Sequence, residues 1–177
     1  MNNYVSYKNF LLPPNWEKVS SYALDEERKN ESVLATTFTN AANYRVADIV
    51  HHPEYREILE PKIQLFLQDA CGKLNYPIFT PQKIEMQLTI TRDGGFYKKH
   101  RDNGCAPNRG RKISYVFYLT DNFLGGELVI HHSKVATAIK PAPNSLVMFP
   151  SSVEHEIYPV EKLVGNNDRI TINGWIS

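Results

Sequence analysis

Two cysteines, Cys71 and Cys105, are all that the 177 residues contain, too few for the disulfide frameworks of small secreted folds. A reducing, cytoplasmic setting is the expectation. No apolar run approaches the roughly 20 residues that a bilayer-crossing helix requires. The opening Met1-Asn2-Asn3-Tyr4 lacks the charged and apolar regions of a signal peptide. An excess of one charge is missing as well. A formal net charge of +1 gives a polyanion no overall attraction, so neither nucleic acid nor a membrane is expected as partner. Internal repeats and low-complexity segments are also lacking. What is present is a chain 42% hydrophobic and 22% charged, a globular balance, with a length that suits one domain, 1–177, around one core.

The two halves differ in texture. Val5 to Phe10 reads as a short strand, and Pro13-Pro14 as a helix start, since proline fits the first turn; Trp16, Val19 and Leu24 give that helix an apolar side. Residues 30 to 50 lack a clear period and read as loop with some strand. Pro53 opens a second helix running to about Leu74, with Ile58, Leu59, Phe66, Leu67 and Ala70 near helical spacing, and Pro61 kinks or divides it. From Lys83 onward strands follow one another. Met86, Leu88 and Ile90 alternate with Gln87, Thr89 and Thr91. Then come Ile113–Leu119, Glu127–His131, Val135–Ile139, Ser145–Phe149, Glu156–Val160 and Arg169–Ile176. Gly94-Gly95, Gly125-Gly126, Pro141 to Asn144 and Gly165 to Asp168 supply turns. The expected class is mainly β with flanking helices: helical support over about 11–80, and a sandwich or jelly roll over about 83–177.

Within that β region one pattern carries chemistry. A facial iron site takes two imidazoles and one carboxylate on one side of the metal and leaves the other positions open. His-x-Asp on extended backbone supplies two ligands, because residues i and i+2 project to the same side; His100-Arg101-Asp102 has this form. A third ligand must come from a distant strand, and His155 heads one, after the Pro150-Ser151-Ser152 turn. His52-Pro53-Glu54 imitates the motif, but its proline marks a helix start, where the glutamate favours the N-terminus.

Alternation along the last strand puts Arg169, Thr171, Asn173 and Trp175 on one face, with Ile170, Ile172 and Ile176 on the other. A guanidinium fixed inside a barrel binds a dicarboxylate bidentately; buried without such an anion it would be costly. The strand from Lys112 divides similarly: Ser114, Val116 and Tyr118 form a mixed face, opposite the apolar Ile113, Tyr115, Phe117 and Leu119. Tyr118 is either a donor to the anion that Arg169 holds or an ordinary core tyrosine.

Taken together, Gly95-Phe96-Tyr97-Lys98-Lys99-His100-Arg101-Asp102-Asn103, the Arg111 to Thr120 strand, Gly125-Gly126-Glu127-Leu128, Phe149 to Ile157 and Arg169 to Trp175 resemble the prolyl-hydroxylase-like branch of the iron(II)/2-oxoglutarate-dependent oxygenases. The likeness covers roughly residues 83 to 177, with its motifs in the expected order. It implies a double-stranded β-helix, iron(II) at His100, Asp102 and His155, and 2-oxoglutarate held by Arg169 and Tyr118. Thr171 and Asn173 stand where some members add contacts. It also implies use of dioxygen to hydroxylate an unactivated C–H bond, with release of succinate and carbon dioxide. Many members carry a tyrosine nine residues before the first histidine. Here that position is Thr91, leaving space for a water, Gln87 or Thr89. A substrate-covering C-terminal extension of larger relatives is expected to be missing.

The first substrate expectation is a peptidyl or free amino acid such as proline; the alternative is a small metabolite or natural-product intermediate. Tyr97, Asn103, Arg111 and Trp175 are the candidates for substrate contact, and residues 30 to 50 and 103 to 110 for the mouth. Lys98, Lys99, Arg101, Arg109, Arg111 and Lys112 read as the rim of a site for an acidic or polar substrate. The rival from another class is a non-catalytic β-barrel that binds a ligand or a structural metal, although a closed site has no use for open positions. His131-His132 point to opposite strand faces and make a poor metal pair. Cys105 reads as a plain loop cysteine, and Gly125-Gly126 as a turn before a strand.

Overall fold

A computed structural model describes residues 3–28, 33–34, 44–50, 55–104, 106–133, 135–161 and 168–177. In chain order the elements are β1 (Val5–Tyr7), α1 (Pro13–Arg28), β2 (Val33–Leu34), β3 (Arg45–Val46), β4 (Asp48–Val50), α2 (Arg56–Leu74), β5 (Ile84–Thr91) and β6 (Phe96–His100). After a short 3-10 turn at Asn108–Gly110 come β7 (Ile113–Tyr118), β8 (Leu124–Gly125), β9 (Leu128–His132), β10 (Val135–Ile139), β11 (Ser145–Pro150), β12 (His155–Ile157), β13 (Val160–Glu161) and β14 (Arg169–Ile176).

Two antiparallel sheets form the body, the arrangement of a double-stranded β-helix. The larger runs β1-β11-β7-β14-β5-β4-β2, the smaller β10-β9-β12-β6-β3, and β13 pairs with β8 apart from both. Period-two patterning decides what each face of the larger sheet meets. Ile84, Met86, Leu88 and Ile90 of β5, Ile113, Tyr115 and Phe117 of β7, Leu146 and Met148 of β11, and Ile170, Ile172 and Ile176 of β14 share one buried cluster with Val19 and Ala23 of α1 and Leu59, Ile63 and Leu67 of α2. Each fully buried aliphatic side chain there contributes about 1.5–3 kcal/mol. Val116, Tyr118, Val147 and Phe149 turn the other way and pack with Leu128 and Ile130 of the smaller sheet. The faces of β5, β7 and β14 thus divide as their alternation predicts.

Gly174 is required by a close approach. It lies opposite Tyr115 in the β14–β7 register, and the Tyr115 hydroxyl donates past it to the Glu85 carbonyl at 2.8 Å. A Cβ on residue 174 would sit 2.2 Å from that hydroxyl oxygen and 2.0 Å from the carbonyl oxygen.

Two expectations change. The segment Glu156–Val160 is two strands, not one, because Tyr158-Pro159 interrupts it and proline has no N–H for the ladder. Pro61 does not divide α2, which runs unbroken from Arg56 to Leu74; the proline is exposed in the second turn, where it removes one backbone bond without ending the helix. The polar stretch 30–50 supplies β2, β3 and β4. His52-Pro53-Glu54, with the expected helix start, and Cys105 lie outside the described residues. No helix among the described residues is long and apolar enough to cross a membrane.

Candidate functional site

β6 and β12 are neighbours in the smaller sheet, with His100 directly opposite His155. This register brings two imidazoles, 55 positions apart in the chain, to a ring separation of 4.2 Å. Asp102 follows β6 by two residues, its amide donating to the Ser151 carbonyl at 3.0 Å. Its Oδ1 lies 3.5 Å from His100 Nε2 and its Oδ2 3.4 Å from His155 Nε2. The three ligand atoms all fall within 4.8 Å of one another, so they can hold one metal ion from one side.

Each ligand is held by a second contact. His100 Nδ1–H donates to the Lys98 carbonyl at 2.8 Å, and His155 Nδ1–H to the Val153 carbonyl at 3.0 Å. A carbonyl only accepts, so both rings are fixed with a free lone pair on Nε2, the coordinating tautomer. Ser114 Oγ donates to Asp102 Oδ2 at 2.7 Å and lies 2.8 Å from Ser151 Oγ. Burial opposes ionisation of Asp102, but the neighbouring His100 and His155 rings and the Ser114 hydroxyl outweigh it and hold the carboxyl below the usual range. Burial pushes His155 down to about 4, against the pull of Asp102. At neutral pH Asp102 therefore stands as carboxylate and His155 as neutral imidazole, the forms that bind a cation.

A cavity of about 360 Å³ opens over this cluster. Of the residues singled out in the sequence, it gathers His100, Asp102, His155, Tyr97, Arg111, Asn173 and Trp175; Asn103 stays outside it. The Tyr97 ring stacks on His100 with centroids 3.6 Å apart. Arg111 is committed to structure: it makes a bidentate pair with Glu85, at 3.0 and 2.9 Å, and its guanidinium carbon lies 3.7 Å from the centre of the Trp175 ring. The expected basic rim is therefore thinner than its sequence. Lys98, Lys99 and Arg109 are exposed, Lys112 sits over the Phe79 ring, and only Arg101 and Arg111 of that group line the cavity.

Beyond the cavity, deeper between the sheets, lies a second group. Arg169 is 1% exposed. Its Nε donates to the Gly126 carbonyl at 2.8 Å and its Nη1 to Thr171 Oγ1 at 3.3 Å. Its Nη2 has no partner, and neither have the Tyr118 hydroxyl and Asn173 Oδ1, the three buried side-chain polar atoms left so among the described residues. The Arg169 guanidinium lies 5.4 Å from the centre of the Tyr118 ring. Burial pushes the Tyr118 phenol up, against the neighbouring cation, so it remains a neutral donor. A buried guanidinium nitrogen and a buried hydroxyl without acceptors are expensive, and a carboxylate between them would satisfy both. This donor set fits the distal carboxylate of a 2-oxo diacid.

Thr91 is the register partner of Arg169 on β5 and is buried against the position a Gly95 Cβ would take. One wall further on, Thr89 Oγ1 accepts from Gln87 at 3.3 Å and from Asn173 at 3.2 Å. Gln87 and Thr89 are thus bound to each other and to Asn173. Sequence reading missed Ser114 and Ser151 as supports of Asp102, Gly126 as the acceptor for Arg169, the Glu85 partner of Arg111, and Arg45 in the cavity wall. Gly126 carried a signal: at φ 65° it occupies the left-handed region, and a Cβ there would come within 3.0 Å of Arg169 Cδ. His131 pairs with Glu156 at 2.7 Å and His132 is exposed, so neither joins the cluster.

Comparison with known proteins agrees with this geometry. An uncharacterised PKHD-type hydroxylase of Synechocystis is 32% identical over 98% of this chain, which spans 62% of that protein's length. Among solved structures, a prolyl hydroxylase of Trichoplax adhaerens, in complex with a hypoxia-inducible-factor peptide fragment, superposes with a TM-score of 0.79 at 20% identity, covering 99% of this chain and 84% of that one. A Pseudomonas putida prolyl-4-hydroxylase gives 0.76 at 19%, covering 99% and 92%. These likenesses establish the double-stranded β-helix fold. Residues 86–177 match the model of the 2OG-Fe(II) oxygenase superfamily, and the chain belongs to that superfamily.

Proposed function

We propose that the protein is an iron(II)- and 2-oxoglutarate-dependent hydroxylase built as one oxygenase domain. His100 Nε2, Asp102 and His155 Nε2 would hold the metal. Arg169, with Tyr118, Thr171 and Asn173, would hold the distal carboxylate of 2-oxoglutarate. When bound, that pair supplies the oxidative chemistry: with dioxygen it yields succinate and carbon dioxide and delivers one oxygen atom to a substrate C–H bond.

The chain's own residues do the positioning. Lys98 and Val153 carbonyls aim both imidazoles, and Ser114 fixes the carboxylate between them. The Gly126 carbonyl locks the Arg169 stem, leaving Nη2 for the anion. Leu128, Phe149 and Ile157 form apolar parts of the wall around the cluster, which limits the water that reaches the reacting carbon. The observation that carries the reading is the pairing of two features: three ligand atoms within 4.8 Å, and, deeper in the same barrel, a buried guanidinium whose Nη2 has no partner. A non-catalytic binding module explains neither an open-sided triad nor the cost of that cation.

For the substrate, a peptidyl or free amino acid such as proline remains the first proposal; a small metabolite or natural-product intermediate undergoing the same reaction is the second. The reaction class is tested by succinate formation from 2-oxoglutarate. It should depend on added iron(II) and vanish in His100→Ala and Asp102→Ala while both variants keep their fold. Normal turnover in either variant overturns the metal assignment.

A further inference from the structure

We infer that Arg45 is a second anion anchor, at the substrate end of the cavity, and that it selects a substrate carrying a carboxylate but no neighbouring free ammonium. This deepens the oxygenase reading above and rests on it.

Arg45 belongs to none of the sequence motifs, yet β3 pairs it in register with Tyr97 of β6. Its guanidinium carbon lies 4.9 Å from the centre of the Tyr97 ring, which in turn stacks on the metal-side His100 at 3.6 Å. The cation therefore stands one aromatic ring away from the triad, in the wall of the same cavity. It is mostly buried, and no carboxylate among the described residues pairs with it; its contact is the Tyr97 π-face. Burial works against its charge, but a guanidinium keeps its proton throughout the working range.

Charge accounting around the cavity isolates it. Arg111 is neutralised by both oxygens of Glu85, and the exposed Arg101 lies beside Glu154 at 3.5 Å. In the proposed loaded site the metal, Asp102, 2-oxoglutarate and Arg169 balance one another. Arg45 is then the lining cation left without an acid, and a substrate carboxylate supplies one. The lining acids are Asp102 and Glu85, and both are engaged. An ammonium group would find no free partner, so a zwitterionic free amino acid fits worse than an N-acylated one, whose acid group can be a chain end or a side chain.

The test uses the protein loaded with iron(II) and saturating 2-oxoglutarate without oxygen, so that Arg169 is already occupied. A panel of N-acetyl amino acids, each as free acid and as primary amide, is scored by thermal upshift alongside the unacylated amino acids. The expected result is at least one acid that binds about tenfold or more tightly than its amide and its free amino acid. Arg45→Gln should erase the acid-over-amide preference, each shift being measured from that variant's own ligand-free melting temperature, and Arg45→Lys should keep part of it. Equal shifts for acids and amides, no shift from either, equal binding of free amino acids, or a preference unchanged in Arg45→Gln overturns the inference. Iron-dependent succinate formation is followed separately. Its presence alongside failed selectivity removes only the Arg45 assignment, whereas its absence removes the oxygenase reading itself.

Discussion

Ser114→Ala isolates the support beneath the metal carboxylate. The serine hydroxyl donates to Asp102 Oδ2 at 2.7 Å inside a buried site, and alanine removes it without adding volume. A hydrogen bond to a charged group contributes about 1.5–3 kcal/mol, and 1.4 kcal/mol is about a factor of ten in affinity. The same estimate follows from metal sites, where loss of a partner behind a ligand weakens binding about 10- to 100-fold. Ser151 Oγ, 2.8 Å from the deleted oxygen, loses its own partner in the same variant. Anaerobic calorimetric titration with iron(II) should therefore show affinity reduced about 10- to 100-fold, with the circular dichroism spectrum unchanged. Wild-type iron affinity in Ser114→Ala would refute the claim that this hydroxyl holds the carboxylate in place.

Gly174→Ala should destabilise the protein by about 3 kcal/mol or more, because its Cβ would clash with the Glu85 carbonyl and the Tyr115 hydroxyl; a wild-type urea midpoint would contradict the packing described. His155 makes metal-free stability depend on pH. Its folded value of about 4 lies below the usual 6.5, so its contribution is full above about pH 6.5 and is lost as pH falls toward 4, by about 3 kcal/mol. Urea titrations in chelator should show this slope flattened in His155→Asn; identical slopes would remove the assignment. Tyr118→Phe should weaken 2-oxoglutarate binding about fivefold, one hydrogen bond's worth, and an unchanged affinity would leave Tyr118 as packing alone.

Much of this was legible in the chain because a strand declares its faces by alternation. Ile170 and Ile172 had to oppose Arg169 and Thr171, and a lone arginine on an inward face predicts its own anion. The His100-x-Asp102 spacing and the position of His155 at a strand head pointed to the three side chains that the structure brings together. Register was not legible. That Ser114 comes under Asp102, that Glu85 meets Arg111, and that Arg45 lies across from Tyr97 depend on how strands distant in sequence slide into pairing, and side-chain periodicity leaves that offset open. The basic run from Lys98 to Lys112 misled for the same reason: neighbours in sequence face different directions, and the cation that matters to the cavity came from a two-residue strand in a stretch without period.

The most direct test of the central claim is an anaerobic titration of 2-oxoglutarate into the iron(II)-loaded protein, followed by the visible absorption that iron(II) gains when chelated by a 2-oxo acid. The account predicts a saturable band in the wild type, its loss in Asp102→Ala, and in Arg169→Ala the same band reached only at about 10- to 100-fold more 2-oxoglutarate. No band in the wild type, or an unchanged requirement in Arg169→Ala, would contradict it.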